Sequence, residues 1–168
     1  MATREARNAI KIENKSGRVS QVPIDPTETI YQGDMVFWDA GLATKMTVAG
    51  DADNFLGVSD HTNPQRTGGT LTSDYTKPYI NIVQSALVEM IAGANETLSA
   101  FQNLEMVTDA QHVKSSSTAA NVVGIVDPGW AGADGKAVLI GDMVKLWLKV
   151  PARWQVWGPR VEAEAGDT

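Results

Sequence analysis

Apolar and polar positions alternate with a period of two along Val144, Leu146, Leu148 and Val150, which are separated by Lys145, Trp147 and Lys149. That period marks a strand with one buried face, and Pro151 ends it by withdrawing a backbone donor. Ile10 and Ile12 alternate with Lys11 and Glu13 in the same way and predict a strand near the amino terminus. Ile80 to Ala92 could place Ile80, Val83, Leu87 and Met90 on one helical face. Pro78 before it and the Gly93-Ala94-Asn95 turn behind it instead predict a strand. Short helices are expected only from Ser99 to Leu104 or Thr118 to Asn121. Turn chemistry recurs at Tyr31-Gln32-Gly33-Asp34, Asp39-Ala40-Gly41, Ala49-Gly50-Asp51, Thr67-Gly68-Gly69, Asp127-Pro128-Gly129 and Ala133-Asp134-Gly135. Short strands at this spacing, without a sustained amphipathic helix, predict an all-β fold, a small barrel or sandwich.

The chain also says nearly the same thing twice. Glu28-Thr29-Ile30 opens a stretch that closes at Gly57-Val58-Ser59-Asp60, and Glu96-Thr97-Leu98 opens another that closes at Gly124-Ile125-Val126-Asp127. The openings lie 68 positions apart (28 to 96) and the closings 67 (57 to 124), so one inserted or deleted residue aligns them. A third echo follows, because Gly33-Asp34-Met35-Val36 returns as Gly141-Asp142-Met143-Val144. Recurrence of one short unit with variable loops predicts a scaffold built on an internal duplication. The expected organisation is an amino-terminal arm or first strand over residues 1–26, a β-rich core over 27–151 with related units at 28–60 and 96–127, and a carboxyl-terminal tail over 152–168. The tail carries Trp154 and Trp157, which either plug a pocket on a neighbouring subunit or fold back to cap the chain's own barrel.

At 168 residues, 43% hydrophobic and 20% charged, the chain is of ordinary globular size and composition. The absence of cysteine removes disulfides, zinc–thiolate sites, iron–sulfur clusters and thiol catalysis together. Net charge is −6, but residues 1–20 hold Arg4, Arg7, Lys11, Lys15 and Arg18 against Glu5 and Glu13, which is 5 − 2 = +3 and leaves −9 for the rest. An acidic body disfavours phosphate backbones, so no nucleic-acid partner is expected. The basic segment is either an arm for an acidic partner or a solvated first strand. The amino terminus lacks a signal-like apolar run, and the stretch Ile80 to Ala94 is interrupted by Gln84, Ser85 and Glu89. These features predict synthesis in the cytoplasm and no membrane association.

Catalytic and metal patterns are incomplete. Gly57-Val58-Ser59-Asp60-His61 places His61 where a nucleophile elbow needs glycine, and Ser59 corresponds to Val126 in the second unit. His61 and His112 lack the paired spacing of a zinc site. Asp51-Ala52-Asp53-Asn54 resembles the start of a calcium loop but lacks its glycine and distant glutamate. Gly68-Gly69-Thr70 lacks the lysine of a phosphate-binding loop. No catalytic residue, cofactor or metal is therefore expected.

The Gly-Asp strand entries at Gly33-Asp34 and Gly141-Asp142, with the Gly57-Val58 and Gly124-Ile125 strands that close on Asp60 and Asp127, resemble the capsid decoration, or cement, proteins of tailed bacteriophages. The resemblance spans roughly Thr27 to Val150. It implies a small β-clip- or β-tulip-like virion protein on the outer surface of the phage head. Its partner would be the major capsid protein, which it would bind as a homotrimer at three-fold or quasi-three-fold positions, reinforcing contacts between shell subunits. It also implies an amino-terminal arm adding a strand to the capsid, for which Arg4, Arg7, Ile10, Lys11 and Ile12 are the candidate contacts; Trp154 and Trp157 are candidate neighbour contacts outside the matched span. Two rival readings exist. One is a small sandwich for carbohydrate binding or adhesion that stacks Trp130, Trp154 or Trp157 on sugar rings; the other is a β-clip hydrolase using Asp60, His61 or Asp127.

Overall fold

The computed structural model describes residues 12–25, 27–60, 66–67, 70–71, 79–107 and 111–155. These form thirteen strands: β1 (Ile12–Pro23), β2 (Met35–Asp39), β3 (Leu42–Lys45), β4 (Phe55–Ser59), β5 (Arg66–Thr67), β6 (Thr70–Leu71), β7 (Tyr79–Ile91), β8 (Glu96–Leu98), β9 (Asn103–Val107), β10 (His112–Ser115), β11 (Val122–Val126), β12 (Lys136–Val138) and β13 (Met143–Leu148). The main sheet has nine strands in the order β10-β9-β11-β13-β7-β4-β2-β3, with β1 added on β7. β12 pairs with β8 and β5 with β6 in separate two-stranded sheets. Pairing between the strands is antiparallel throughout, and the main sheet curls into a half-barrel. The all-β class follows directly from these pairings.

The 13-residue strand β7 pairs with β4 along one part of its length and with β13 along another. Ile82 and Val83 pair with Ser59 and Val58 of β4, while Val88 and Leu87 pair with Leu146 and Trp147 of β13. The same four β7 residues also pair with β1, at Val19, Arg18, Ile12 and Glu13. A strand residue has only two edges, so β1 takes the edge that β4 and β13 leave at these positions. β1 follows that edge through three register shifts, and Gln21 stands within it at φ 56°. Such irregularities twist an outer strand and blunt it against unwanted pairing.

Two apolar cores explain the ambiguous pattern of Ile80 to Ala92. Val83, Ala86, Val88 and Met90 enter the larger core with Met35, Phe55, Val58, Leu104, Val126 and Leu146. Ile80 and Ile82 enter a second core with Val22, Ile24, Ile30, Val36, Ala43 and Leu56. Successive residues point to opposite faces of a strand, so the neighbours Met35 and Val36 lie in different cores, as do Phe55 and Leu56. With both faces of β7 covered, polar alternation disappears and a false helical period shows through. β9 reads clearly because Leu104 and Met106 are buried between more accessible residues.

Three local expectations change. Ala49-Gly50-Asp51, expected as a turn, starts a 3-10 helix over Ala49–Asn54, in which the Asp51 carboxylate accepts the Thr47 and Val48 N–H groups. Ser99 to Gln102 forms a turn and Asn103 already begins β9, so no helix spans Ser99 to Leu104. The expected turn at Asp127-Pro128-Gly129 opens the four-residue helix α1 (Pro128–Ala131), because Asp127 accepts the Trp130 N–H and proline suits a first helical position. The segment Thr118 to Asn121 does contain a helical turn, a 3-10 helix over Ala119–Asn121.

Candidate functional site

The repeated residues build one hydrogen-bonded bracket three times. In the first, the Asp34 N–H donates to the Tyr31 carbonyl at 2.9 Å while the Asp34 carboxylate accepts the Tyr31 N–H at 2.8 Å. In the third, Asp142 and Leu139 make the same pair at 2.9 and 2.8 Å. The second uses Gln102 and Ser99 at 3.1 and 2.9 Å, an amide replacing the carboxylate. The residue before each acceptor has positive φ: Gly33 at 86°, Phe101 at 65° and Gly141 at 101°.

Each bracket then aligns a neighbouring strand. Gly33 donates to the Ser59 carbonyl and Ser59 donates back to Asp34; Phe101 and Gln102 do the same with Val126, and Gly141 and Asp142 with Ala92. Strand entries β2, β9 and β13 are thus set against the ends of β4, β11 and β7. Glu28 and Glu96 make matching contacts as well. The Glu28 carboxylate accepts the Lys45 N–H at 3.2 Å, and that of Glu96 accepts the Ser115 N–H at 2.9 Å. Burial raises the Glu28 pKa above the ordinary glutamate value, outweighing the opposing Lys45 backbone hydrogen bond and charge.

The closing motifs have a steric origin. A Cβ on Gly57 would collide with the Val83 carbonyl oxygen, and one on Gly124 would lie 2.7 Å from the Trp147 carbonyl oxygen. Glycine is required where these strands approach so closely. Asp60 donates its N–H to the Asn81 carbonyl, and Asp127 donates its N–H to that of Lys145. The Asp60 carboxylate meets Arg18 at 2.6 Å, whereas that of Asp127 accepts the Trp147 indole N–H at 2.9 Å and caps α1. The Asp60 carboxylate thus pairs with β1 and that of Asp127 caps α1; His61, the third residue of the hydrolase reading, lies outside the described residues.

The start of the tail lies against its own chain. Residues Ala152–Trp154 form a 3-10 turn, and the Trp154 ring sits 6.2 Å from that of Trp38 at 44°. The Trp154 carbonyl accepts a hydrogen bond from the buried Gln84 amide at 2.7 Å, and the same amide donates to the Leu56 carbonyl at 3.1 Å. Arg153 lies over the Trp154 ring at 5.6 Å and hydrogen-bonds the Asp53 carbonyl and, at 3.1 Å, the Asn54 side chain. Trp38 and Trp154 line an open groove of about 300 Å³ together with β1, Leu56, Ile82 and Gln84. Trp130 is half-buried against the larger core, with the Lys136 ammonium over its ring at 5.1 Å.

Of the candidate contacts, Ile12 begins β1 opposite Val88. Arg4, Arg7, Ile10, Lys11 and Trp157 lie outside the described residues. Gln111 carried no signal in the sequence. It stands at φ 57° before β10, as Gly41 stands at 87° before β3. Its buried amide accepts the Met35 N–H at 2.5 Å and donates to the Met46 carbonyl at 2.7 Å, tying the second hairpin to the first.

Fold and brackets together define an all-β protein whose main sheet is a curled antiparallel half-barrel. No family model, curated protein or solved structure matches the chain. Among the described residues, no helix is long and apolar enough to cross a membrane.

Proposed function

We propose that this chain is a structural, non-enzymatic virion protein. It binds the outer surface of a tailed-phage head as a homotrimer at three-fold or quasi-three-fold positions and reinforces contacts between major capsid proteins. The observation that supports this reading is the triple bracket. Gly33-Asp34, Gly57-Val58, Gly124-Ile125 and Gly141-Asp142, which carry the resemblance to decoration proteins, are residues that set strand entry and close approach. On this reading, the motifs that carry the resemblance are the ones that build the β scaffold.

On this reading Arg4, Arg7, Ile10 and Lys11, which precede β1 in sequence, extend the chain onto the shell as an added strand. The −9 charge of the remaining residues favours repulsion between neighbouring decorated positions and keeps particles apart. Many copies contacting several shell subunits at once need only a modest interface each, because effective concentration multiplies the affinity.

The direct test is quantitative mass spectrometry of gradient-purified particles, comparing copies of this chain with copies of the major shell protein. A simple fixed ratio is the expected result. Absence from the particles overturns the reading.

A further inference from the structure

We propose that Ala9-Ile10-Lys11 continue β1 along a stretch of β7 edge that the described residues leave open, Glu89 to Ile91, and so hold the amino-terminal arm on the chain's own sheet. The docking does not depend on the virion reading above. Where that reading holds, it adds a step, because the shell must displace these three residues before they can pair with it.

The open stretch is bounded at both ends. β1 enters the sheet at Ile12, opposite Val88, and β7 runs on beyond it to Ile91. On one edge β13 covers Glu89, Met90 and Ile91, through Lys145, Val144 and Met143. Just past β7, the Ala92 N–H and carbonyl both turn to that same side, to Asp142 and Gly141, whereas the Gly93 N–H turns the other way and reaches the Val113 carbonyl of β10. Val113 also bridges to Ala92. Backbone groups of successive residues alternate between the two edges of a strand. Ala86, Val88, Met90 and Ala92 all enter the larger core, so the alternation is unbroken here. The N–H and carbonyl of Glu89 and of Ile91 therefore face the β1 side, between the start of β1 and the contact with β10. Among the described residues no strand pairs with them there. An unpaired edge inside a sheet is a template for an extended segment.

The chain's own arm fits this edge in length, register and pattern. The pairs Glu13–Leu87 and Ile12–Val88 set the register. Continued without a shift, it places Lys11 opposite Glu89, Ile10 opposite Met90 and Ala9 opposite Ile91. Residues directly opposite each other share a face of the sheet. Met90 is buried in the larger core, while Glu89 and Ile91 are half-buried. The position opposite Met90 thus calls for an apolar residue, and Ile10 supplies it. Lys11 falls beside Glu89, which Lys145 flanks at 3.8 Å from the other side, so the row across the strands reads lysine, glutamate, lysine and no like charges adjoin. Residues that merely lengthen an existing strand close no new loop, and their docking carries no loop-closure cost. The seat ends where it does because β10 takes the edge at Gly93; Arg4 and Arg7 stay outside the ladder.

Cysteine cross-linking of the full chain tests this, since the sequence has no cysteine of its own. In the proposed ladder Lys11 and Glu89 form a hydrogen-bonded pair with Cα atoms about 5.5 Å apart, within the roughly 4.4–6.8 Å that a disulfide spans. Oxidised Lys11→Cys/Glu89→Cys protein is expected to carry the bond within one chain, read by peptide mass spectrometry and by monomer migration on a non-reducing gel. Ile10→Cys/Glu89→Cys, one step out of register and on opposite faces, is expected to stay reduced. Amide hydrogen exchange gives a second readout without cysteines. Lys11→Pro removes the donor to the Glu89 carbonyl and should speed exchange at the Glu89 and Ile91 amides by about tenfold or more, leaving the Met90 amide, which faces β13, unchanged. Covalent dimers in place of the intrachain bond, equal bonding in both cysteine pairs, or wild-type Glu89 and Ile91 amides that exchange as fast as in Lys11→Pro overturns the proposal. Absence of the chain from particles would defeat the virion reading and leave these results standing, so the two failures are distinguishable.

Discussion

Phe101 holds, at φ 65°, the bracket position that Gly33 holds at 86°. Both donate their N–H across to the end of the neighbouring strand, Phe101 to Val126 and Gly33 to Ser59. The bracket thus imposes a left-handed residue even where the side chain resists it, at a cost of about 1–2 kcal/mol for a residue with a Cβ.

The two positions should respond oppositely to substitution. Gly33→Ala is expected to lose about 1–2 kcal/mol of stability. Phe101→Gly relieves the strain and forfeits little burial, since the ring is 65% exposed, but makes the unfolded chain more flexible by about 0.5–1 kcal/mol. It is therefore expected to be neutral or mildly stabilising. Urea denaturation of the two variants checks the contrast, and equal losses would refute it.

Gly57 and Gly124 should be more sensitive. Gly57 combines φ 137° with the approach of the Val83 carbonyl, whereas Gly124 has only the steric conflict with β13. Gly57→Ala is expected to cost about 3 kcal/mol or more and Gly124→Ala roughly 1–3 kcal/mol. Denaturation midpoints at constant slope would establish the order; a Gly57→Ala protein as stable as wild type would show that the strand contact can relax freely.

Gln111 should behave as a buried clamp. Gln111→Ala leaves the Met35 N–H and the Met46 carbonyl without this partner, at about 1–3 kcal/mol for each unsatisfied group. Hydrogen exchange at the Met35 amide should accelerate in step with the global loss. Unchanged protection there would mean that water or another group replaces the amide.

Glu28 predicts a pH dependence. Its pKa is raised in the folded state by burial, so the folded protein holds this proton more tightly than the unfolded chain does. The stabilisation linked to this proton is fully present below the ordinary glutamate value and is lost as pH rises through the raised folded value. Glu28→Gln keeps an acceptor for the Lys45 N–H and removes the titration. Relative to the wild type, the variant should gain stability between pH 4 and neutrality, as read from melting curves of both proteins across that range. A difference independent of pH would assign the buried cost to something other than the charge.

Local physics left legible marks. Asp34 and Asp142 accept hydrogen bonds from backbone groups three residues away, and Gly33 and Gly141 take positive φ beside them. Interactions of such short range select the same residue types each time and return as a motif. The alternation along Val144, Leu146 and Leu148 was legible because β13 keeps a regular inward and outward face.

Tertiary structure alone decided the rest. Ser99-Ala100-Phe101-Gln102 contains no glycine or aspartate, so the second bracket was invisible until the ladder to Val126 forced it. β7 lost its alternation because residues distant in sequence, from Val22 to Leu146, cover its two faces. Gln111 reaches Met35 across 76 positions, and Gln84 reaches Trp154 across 70. Such partners are chosen only when the sheet curls, and a single side chain bonding a distant backbone group leaves no spacing to read. The sequence by itself determined where strands begin and turn; the closed packing of β1, β7 and the Trp154 segment determined which side chains meet, because those contacts exist only after long-range pairing has brought their backbones together.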